Sequence, residues 1–247
     1  MRRLGPLLGK ELRQVLRSRG ALLSSTLLPL LLLVVTPGIQ YYTLVIVATP
    51  QTLRGAAAVE PSPFGLSDDP KVVFSQVLLP LFVALSGLIV PSVAATYTVV
   101  GERERRSLDL LVALPVRASD ILWAKLLAIL ILAMAVVLPM FALDAAALLI
   151  LRAIEPADVA LLFILLFAAL AYAVGEALLL ALLARDLRTA QNLNGALLVP
   201  VVAVTTALLF GLPEGVRFFV LAAVYLAGAA IAIAIGLRWL TFERYLL

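Results

Sequence analysis

The chain has 247 residues, of which 64% are hydrophobic and only 14% are charged, with a formal net charge of +4. Soluble domains carry about 45–50% apolar and about 25% charged residues, so this chain has too few polar side chains to cover a water-facing surface. The lipid bilayer is therefore the predicted solvent for most of it. The chain contains no cysteine and no histidine, which excludes disulfides, thiolate metal sites and histidine-based catalysis.

The first predicted element is a cationic amphipathic segment at residues 1–19. Its apolar residues repeat at helical spacing along one side, whereas Lys10, Arg13 and Arg17 occupy the opposite side. This pattern predicts a helix that lies on the inner leaflet of the membrane, with Glu11 on its apolar side in need of a partner. The segment is not expected to be a secretory signal, because the apolar run after it is too long and no small-residue cleavage site follows.

Six apolar stretches follow, each long enough to cross the bilayer, which takes about 20 helical residues. They cover residues 20–42, 72–100, 121–143, 157–184, 193–212 and 216–240. Residues 49–71 contain four prolines and are predicted to form an irregular outer loop. The predicted fold class is therefore an all-α integral membrane protein, with six transmembrane helices in one domain over residues 20–247.

Lysines and arginines predict the orientation of these spans. Only four of the nineteen, Arg54, Lys71, Arg152 and Arg217, fall in the segments on one side, and the other fifteen fall in the alternate segments. Because cytoplasmic loops are enriched in these residues, both termini are expected in the cytoplasm. The same asymmetry indicates that the positive charge orients the chain in a membrane and does not bind nucleic acid.

A dense group of charges lies between the second and third spans, at residues 101–120. Its charged residues and the leucines at roughly helical spacing are Glu102, Arg103, Glu104, Arg105, Arg106, Leu111 and Leu114. A short amphipathic helix with both signs of charge suits a groove on a soluble partner, where leucines anchor it and charges set its register. The alternative is an interfacial turn whose long side chains reach the lipid headgroups.

Polar residues within the spans are candidates for a substrate pathway. Glu176 is the one acidic residue well inside a predicted span, which suggests a substrate contact or a proton site. The alternatives are a hydrogen bond within the bundle or a water-filled vestibule. Gln191, Asn192 and Asn194 cluster at the start of the fifth span, where they either cap the helix or form a polar entrance.

Three stretches resemble type-2 permeases of the ATP-binding cassette (ABC) superfamily. The most specific is G-E-R-E-x-x-S-L-D-L-L-x-x-L-P-V from Gly101, followed by I-L-x-x-K-L-L from Ile121. Residues 8–13 are similar to the N-terminal "elbow" helix of that family. Residues 182–191 are similar to its junction between the fourth and fifth spans.

This resemblance implies the transmembrane subunit of an ATP-driven exporter in the cytoplasmic membrane of a prokaryote. Two copies would pair, as a homodimer, and each would engage a cytoplasmic ABC ATPase subunit. The charged residues and leucines of residues 101–120 would form or flank the coupling helix that contacts the ATPase. Lys10, Glu11 and Arg13 would lie beside it in the elbow helix. The family's dimer contact involves the first and fifth spans.

The chain has no phosphate-binding loop of the pattern G-x-x-x-x-G-K-[ST]. ATP and Mg²⁺ are therefore expected to bind the partner ATPase, and this chain is expected to be neither an enzyme nor a cofactor-binding protein. An intramembrane hydrolase is disfavoured, because the common bases are missing and the three lysines lie near the membrane surfaces. The apolar bundle predicts an amphipathic or lipid-linked substrate. The alternative function is a scaffold or regulatory subunit of an ABC-type complex.

Overall fold

The computed structural model describes residues 9, 26–43, 70–95, 118–184 and 186–239. Within these residues every regular element is a helix. The predicted outer loop lies almost wholly outside them, as do the elbow helix, apart from Gly9, and most of the coupling segment. Those elements, and the domain boundaries drawn from them, stay predictions.

Six helices occur in the described part of the chain, in the order of the predicted spans. They are α1 (Thr26–Tyr41), α2 (70–95), α3 (Ala118–Ile150), α4 (Pro156–Leu183), α5 (Leu187–Gly211) and α6 (Glu214–Trp239). The last five are each long and apolar enough to cross a membrane, whereas the described α1 is shorter. The all-helical, multi-pass class is therefore confirmed, and the sixth span stays a prediction.

α4 lies at the centre of the bundle and packs most extensively against α6 and α2. Small residues permit this close packing. A Cβ added to Gly87 of α2 would lie 2.8 Å from Ala169 Cβ of α4, and one added to Gly175 of α4 would lie 3.1 Å from the Ala229 oxygen of α6. Because lipid is as apolar as leucine, close backbone packing of this kind replaces the hydrophobic effect as the force between helices.

α5 lies at the edge of the bundle. Only 11% of its apolar segment is buried by this chain, against 33% to 50% in the other four long helices. Leu197, Val199 and Val204 are among its exposed apolar side chains. One face of α5 is thus left for lipid or for another protein chain.

α3 extends beyond its predicted span, which ended at residue 143. The helix continues through Asp144 to Ile150, because the residues that follow Asp144 are alanine, leucine and isoleucine, all of which a helix accepts. It stops at Arg152, whose φ of 51° is left-handed, and the Ala153 N–H donates to the Leu148 oxygen in the manner of a Schellman cap. Asp144 is only 7% exposed within this helix.

Candidate functional site

The residues predicted to couple to an ATPase lie outside the described part of the chain. They are Glu102, Arg103, Glu104, Arg105, Arg106, Leu111 and Leu114 of the coupling segment and Lys10, Glu11 and Arg13 of the elbow. Their roles stay predictions. The polar residues that the structure does describe lie at the start of α5, within α4, at the junction of α2, α5 and α6, and in a cleft between α4, α5 and α6.

Asp186 caps the start of α5. Its Oδ1 accepts a hydrogen bond from the Thr189 N–H at 2.7 Å, and its Oδ2 accepts one from Thr189 Oγ1 at 2.9 Å. The backbone hydrogen bond from Thr189, with the bond from its hydroxyl, lowers the pKa of the Asp186 carboxyl, so the cap is an anion at neutral pH. α5 therefore begins at Leu187, six residues before the predicted start of the fifth span.

This cap corrects one interpretation of the sequence. Gln191, Asn192 and Asn194 were expected to cap the fifth span if they did not form an entrance, but the capping residue is Asp186. The side chains of Gln191 and Asn192 are exposed and that of Asn194 is half-buried, all within the first turns of α5. The capping interpretation is wrong because these residues already lie inside the helix.

Glu176 lies on α4 with its side chain only 5% exposed. It precedes Leu183, the last residue of α4, by seven residues and thus lies about 10 Å along the helix axis from the end of α4. Within the described part of the chain, its Oε1 has no hydrogen-bond partner. Burial makes an unpaired carboxylate costly at this position, by a few kcal/mol. Burial also argues against a water-filled vestibule at this side chain.

The four candidate pathway residues do not share one environment. Glu176 is buried on the central helix, whereas Gln191 and Asn192 are exposed on the peripheral one. None of the four lines the cleft that lies further along α4, α5 and α6. A pathway through all of them is therefore a prediction for an assembled complex and not a feature of the single chain.

Arg217, near the start of α6, is a residue whose environment the sequence did not reveal. It was counted as one of four outer positive charges, but its side chain is only 3% exposed. Its Nη1 donates to the backbone oxygens of Gln76 at 3.2 Å and Leu209 at 3.3 Å. One guanidinium thus joins α2, α5 and α6.

Prolines explain why these two carbonyls need a donor. In a helix, the oxygens of Gln76 and Leu209 would accept from the N–H groups four residues later, at positions 80 and 213. Both positions are proline, which has no N–H. α2 widens into a π-helical turn at Phe74–Leu78, which ends two residues before Pro80. The sequence signal for a buried Arg217 is therefore the pair Pro80 and Pro213. Each leaves one backbone carbonyl without its helical N–H donor inside an apolar bundle.

A cleft of about 230 Å³ opens between α4, α5 and α6. Its walls are mostly apolar and include Val201, Val204, Leu221 and Val224. Tyr172 of α4 forms another part, and its ring lies over Gly228, where an added Cβ would be 2.8 Å from the ring. Glycine at 228 is therefore what lets this ring pack against α6.

Two hydroxyl groups lie in the wall of the cleft. Thr205 Oγ1 lies 2.7 Å from the Val201 oxygen and 2.6 Å from the hydroxyl of Tyr225. The ring of Tyr225 packs against that of Tyr172 with centroids 5.8 Å apart. The structure thus places a hydroxyl pair, joined across α5 and α6, inside an otherwise apolar surface.

Comparison with known families gives one match, which covers most of the chain. A sequence model described as ABC-2 family transporter protein matches residues 6–217. This range runs from the predicted elbow helix to the first turn of α6 and includes the charged segment between α2 and α3. A comparison with curated proteins finds no match.

Proposed function

Because the chain belongs to the ABC-2 transporter family and has the membrane-embedded helices of its permeases, we propose that it is the transmembrane subunit of an exporter powered by a separate cytoplasmic ATPase. The observation that carries the proposal is the family match over residues 6–217. Permeases of this family are membrane components that work with an ATPase and do not hydrolyse ATP themselves.

The proposed point of coupling is the segment between α2 and α3. These two helices are consecutive and pack against each other, and residues 96–117 link them in the sequence. The sequence between them includes Arg103, Arg105 and Arg106, as a cytoplasmic segment would. The mixed charges and spaced leucines suit a docking helix, which would pass movement of the ATPase to α2 and α3.

We further propose that two copies pair. The exposed apolar faces of α1 and α5 support this, since α5 is the least buried of the long helices and Leu27, Leu31 and Ile39 of α1 are also exposed. The pathway would then lie between the copies. Pairing would also bring the polar start of α5 in one copy near the start of α5 in the other. An amphipathic or lipid-linked substrate fits walls that are apolar with a few polar groups.

Charge reversal tests the docking role. The triple variant Arg103→Glu, Arg105→Glu and Arg106→Glu should lose at least ten-fold in co-purification with the ATPase subunit, since like charges across a docking surface cost several kcal/mol. Arg54→Glu, on the opposite side of the membrane, is the matched control and should co-purify normally. Undiminished assembly of the triple variant would remove the segment from the coupling interface.

A transport assay distinguishes the exporter from a scaffold or regulatory subunit. The complex is placed in vesicles with the ATPase sites outside, and a panel of amphipathic compounds is tested for uptake that requires ATP. An exporter moves a compound and its ATP hydrolysis rises with that compound, whereas a scaffold assembles with the ATPase and moves none of them.

A further inference from the structure

The cleft between α4, α5 and α6 lies about halfway along the membrane-spanning helices. Tyr172 and Tyr225 are near the midpoints of α4 and α6, and both line it. Its volume of about 230 Å³ exceeds the roughly 150 Å³ of an apolar cavity that binds benzene. It is smaller than the roughly 300–1,000 Å³ of pockets for drug-sized ligands. The cleft therefore has room for a short hydrocarbon.

We propose that this cleft is a binding site for a membrane-dissolved alcohol, whose hydrocarbon chain packs on the valine and leucine walls and whose hydroxyl bonds to the Thr205–Tyr225 pair. The site is separate from the segment proposed to contact an ATPase. Binding at this cleft requires only the permease in a bilayer. The test of binding is therefore independent of whether the chain transports a substrate.

The arrangement of hydrogens favours an alcohol over a plain hydrocarbon. Each of the two hydroxyls has one hydrogen to donate. When Thr205 donates to the Val201 oxygen, Tyr225 donates to Thr205 Oγ1, and both hydrogens are used. The phenolic oxygen of Tyr225 then keeps acceptor capacity that no described hydrogen bond fills. A ligand with an O–H donor completes this network, whereas an ether or an alkane does not.

The depth of the side chains indicates that the ligand enters from the lipid. Thr205 and Tyr225 are each only 2% exposed and form the base of the cleft, while Val204 and Val224 are 50% and 42% exposed and form its mouth. The mouth opens beside α5, the helix that this chain buries least. The mouth lies between Val204 of α5 and Val224 of α6, away from the ends of both helices, on a side of α5 that we assign to lipid and not to the contact between copies. A molecule dissolved in lipid then reaches the hydroxyl pair without crossing water.

Photolabelling tests the proposal directly. The full chain in phosphatidylcholine–phosphatidylglycerol vesicles is irradiated with an eight-carbon alcohol that carries a diazirine, and the labelled residues are mapped by mass spectrometry. We expect label on residues 201–205 and 221–228. Octanol should displace it, whereas octyl methyl ether or octane at equal membrane concentration should displace it less.

Three variants separate the hydroxyl pair from the general apolar surface. Tyr225→Phe should lower alcohol labelling about two- to ten-fold, the effect of one net hydrogen bond, and should leave labelling by an octane diazirine unchanged. Val224→Phe fills the mouth and should block both probes. Thr206→Val removes a neighbouring hydroxyl that does not line the cleft and should change neither.

Several results would overturn the site. Label distributed along α5 in proportion to lipid exposure would show partitioning without binding, and unchanged labelling of Tyr225→Phe would show that the hydroxyl pair plays no part. If Tyr225→Phe fails to fold, the unmodified chain tests the same hydrogen bond, because equal displacement of the label by octanol and by octyl methyl ether would show that the ligand hydroxyl plays no part. Because the chain has no native cysteine, Val224→Cys places a single thiol at the mouth of the cleft. Oxidation then tests whether a second copy of the chain lies against it. A disulfide between two copies would make the cleft a protein contact and contradict the proposal.

Discussion

At the scale of single residues, the position of one buried charge, Arg217, is explained by the hydrogen-bond donors that two prolines lack. Prolines are tolerated in membrane helices because neighbouring groups, water or a local change of helical geometry can satisfy the carbonyl that they leave without a donor. Arg217 does this for two carbonyls at once, those of Gln76 and Leu209. Its charge therefore serves the packing of three helices, whereas the charge count alone suggested only a contribution to orientation.

Replacing Arg217 by methionine tests this role. The carbonyls of Gln76 and Leu209 would lose this donor, at about 1–3 kcal/mol each, so we expect a fall of about 2–6 kcal/mol in unfolding free energy, measured by SDS titration in micelles. Adding Pro80→Ala to Arg217→Met supplies an N–H for the Gln76 oxygen and should recover about 1 kcal/mol.

Pro91→Ala is the matched control for that rescue. Pro91 also lies inside α2, but the carbonyl four residues before it, at Gly87, is not one of the two that Arg217 Nη1 contacts. Equal recovery by Pro80→Ala and Pro91→Ala would show that removing any proline stabilises α2 and that Arg217 has no specific link to Gln76.

At the scale of helices, apolar length predicted the middle of each element and local capping determined its ends. α4 and α6 begin and end within two residues of the predicted spans. α5 begins six residues early because Asp186 supplies the cap. α3 continues past Asp144 because one acidic residue does not end a helix that the following residues favour. Hydropathy measures the free energy of transfer into lipid. It therefore does not report the hydrogen bond that begins α5 or the helix propensity that continues α3.

The cap of α5 predicts a pH effect. Because the folded state lowers the pKa of Asp186, the cap stabilises the start of α5 above the unfolded pKa of about 4 and is lost as pH falls through the folded value. Hydrogen exchange at the amide of Thr189 should therefore be faster relative to mid-helix amides at pH 3 than at pH 6.

Two variants control for general effects of acid on that exchange. Asp186→Asn keeps a side-chain acceptor without a titrating group, so its relative exchange at Thr189 should be the same at both pH values. Asp186→Ala should show fast exchange throughout. A wild-type protein that behaves like Asp186→Asn would show that the carboxylate charge does not matter to the cap.

At the scale of the whole molecule, composition alone predicted the membrane class, and motif resemblance predicted the family. The match over residues 6–217 confirms that family. The Thr205–Tyr225 cleft was not predicted, because residues 20 positions apart in sequence meet only through the packing of α5 on α6. Spacing along one chain does not encode such a pair. The docking role of residues 101–120 stays a prediction from the sequence. It requires that these residues face the cytoplasm.

Cysteine accessibility tests most directly the claim that an ATPase drives this permease from the cytoplasmic side through residues 101–120. The native chain has no cysteine, so Arg105→Cys and Arg54→Cys each give one thiol for an impermeant maleimide. In intact cells we predict that Arg54→Cys is labelled and that Arg105→Cys is labelled only after the membrane is opened. Labelling of Arg105→Cys in intact cells, with Arg54→Cys protected, would place the charged segment outside and contradict the account.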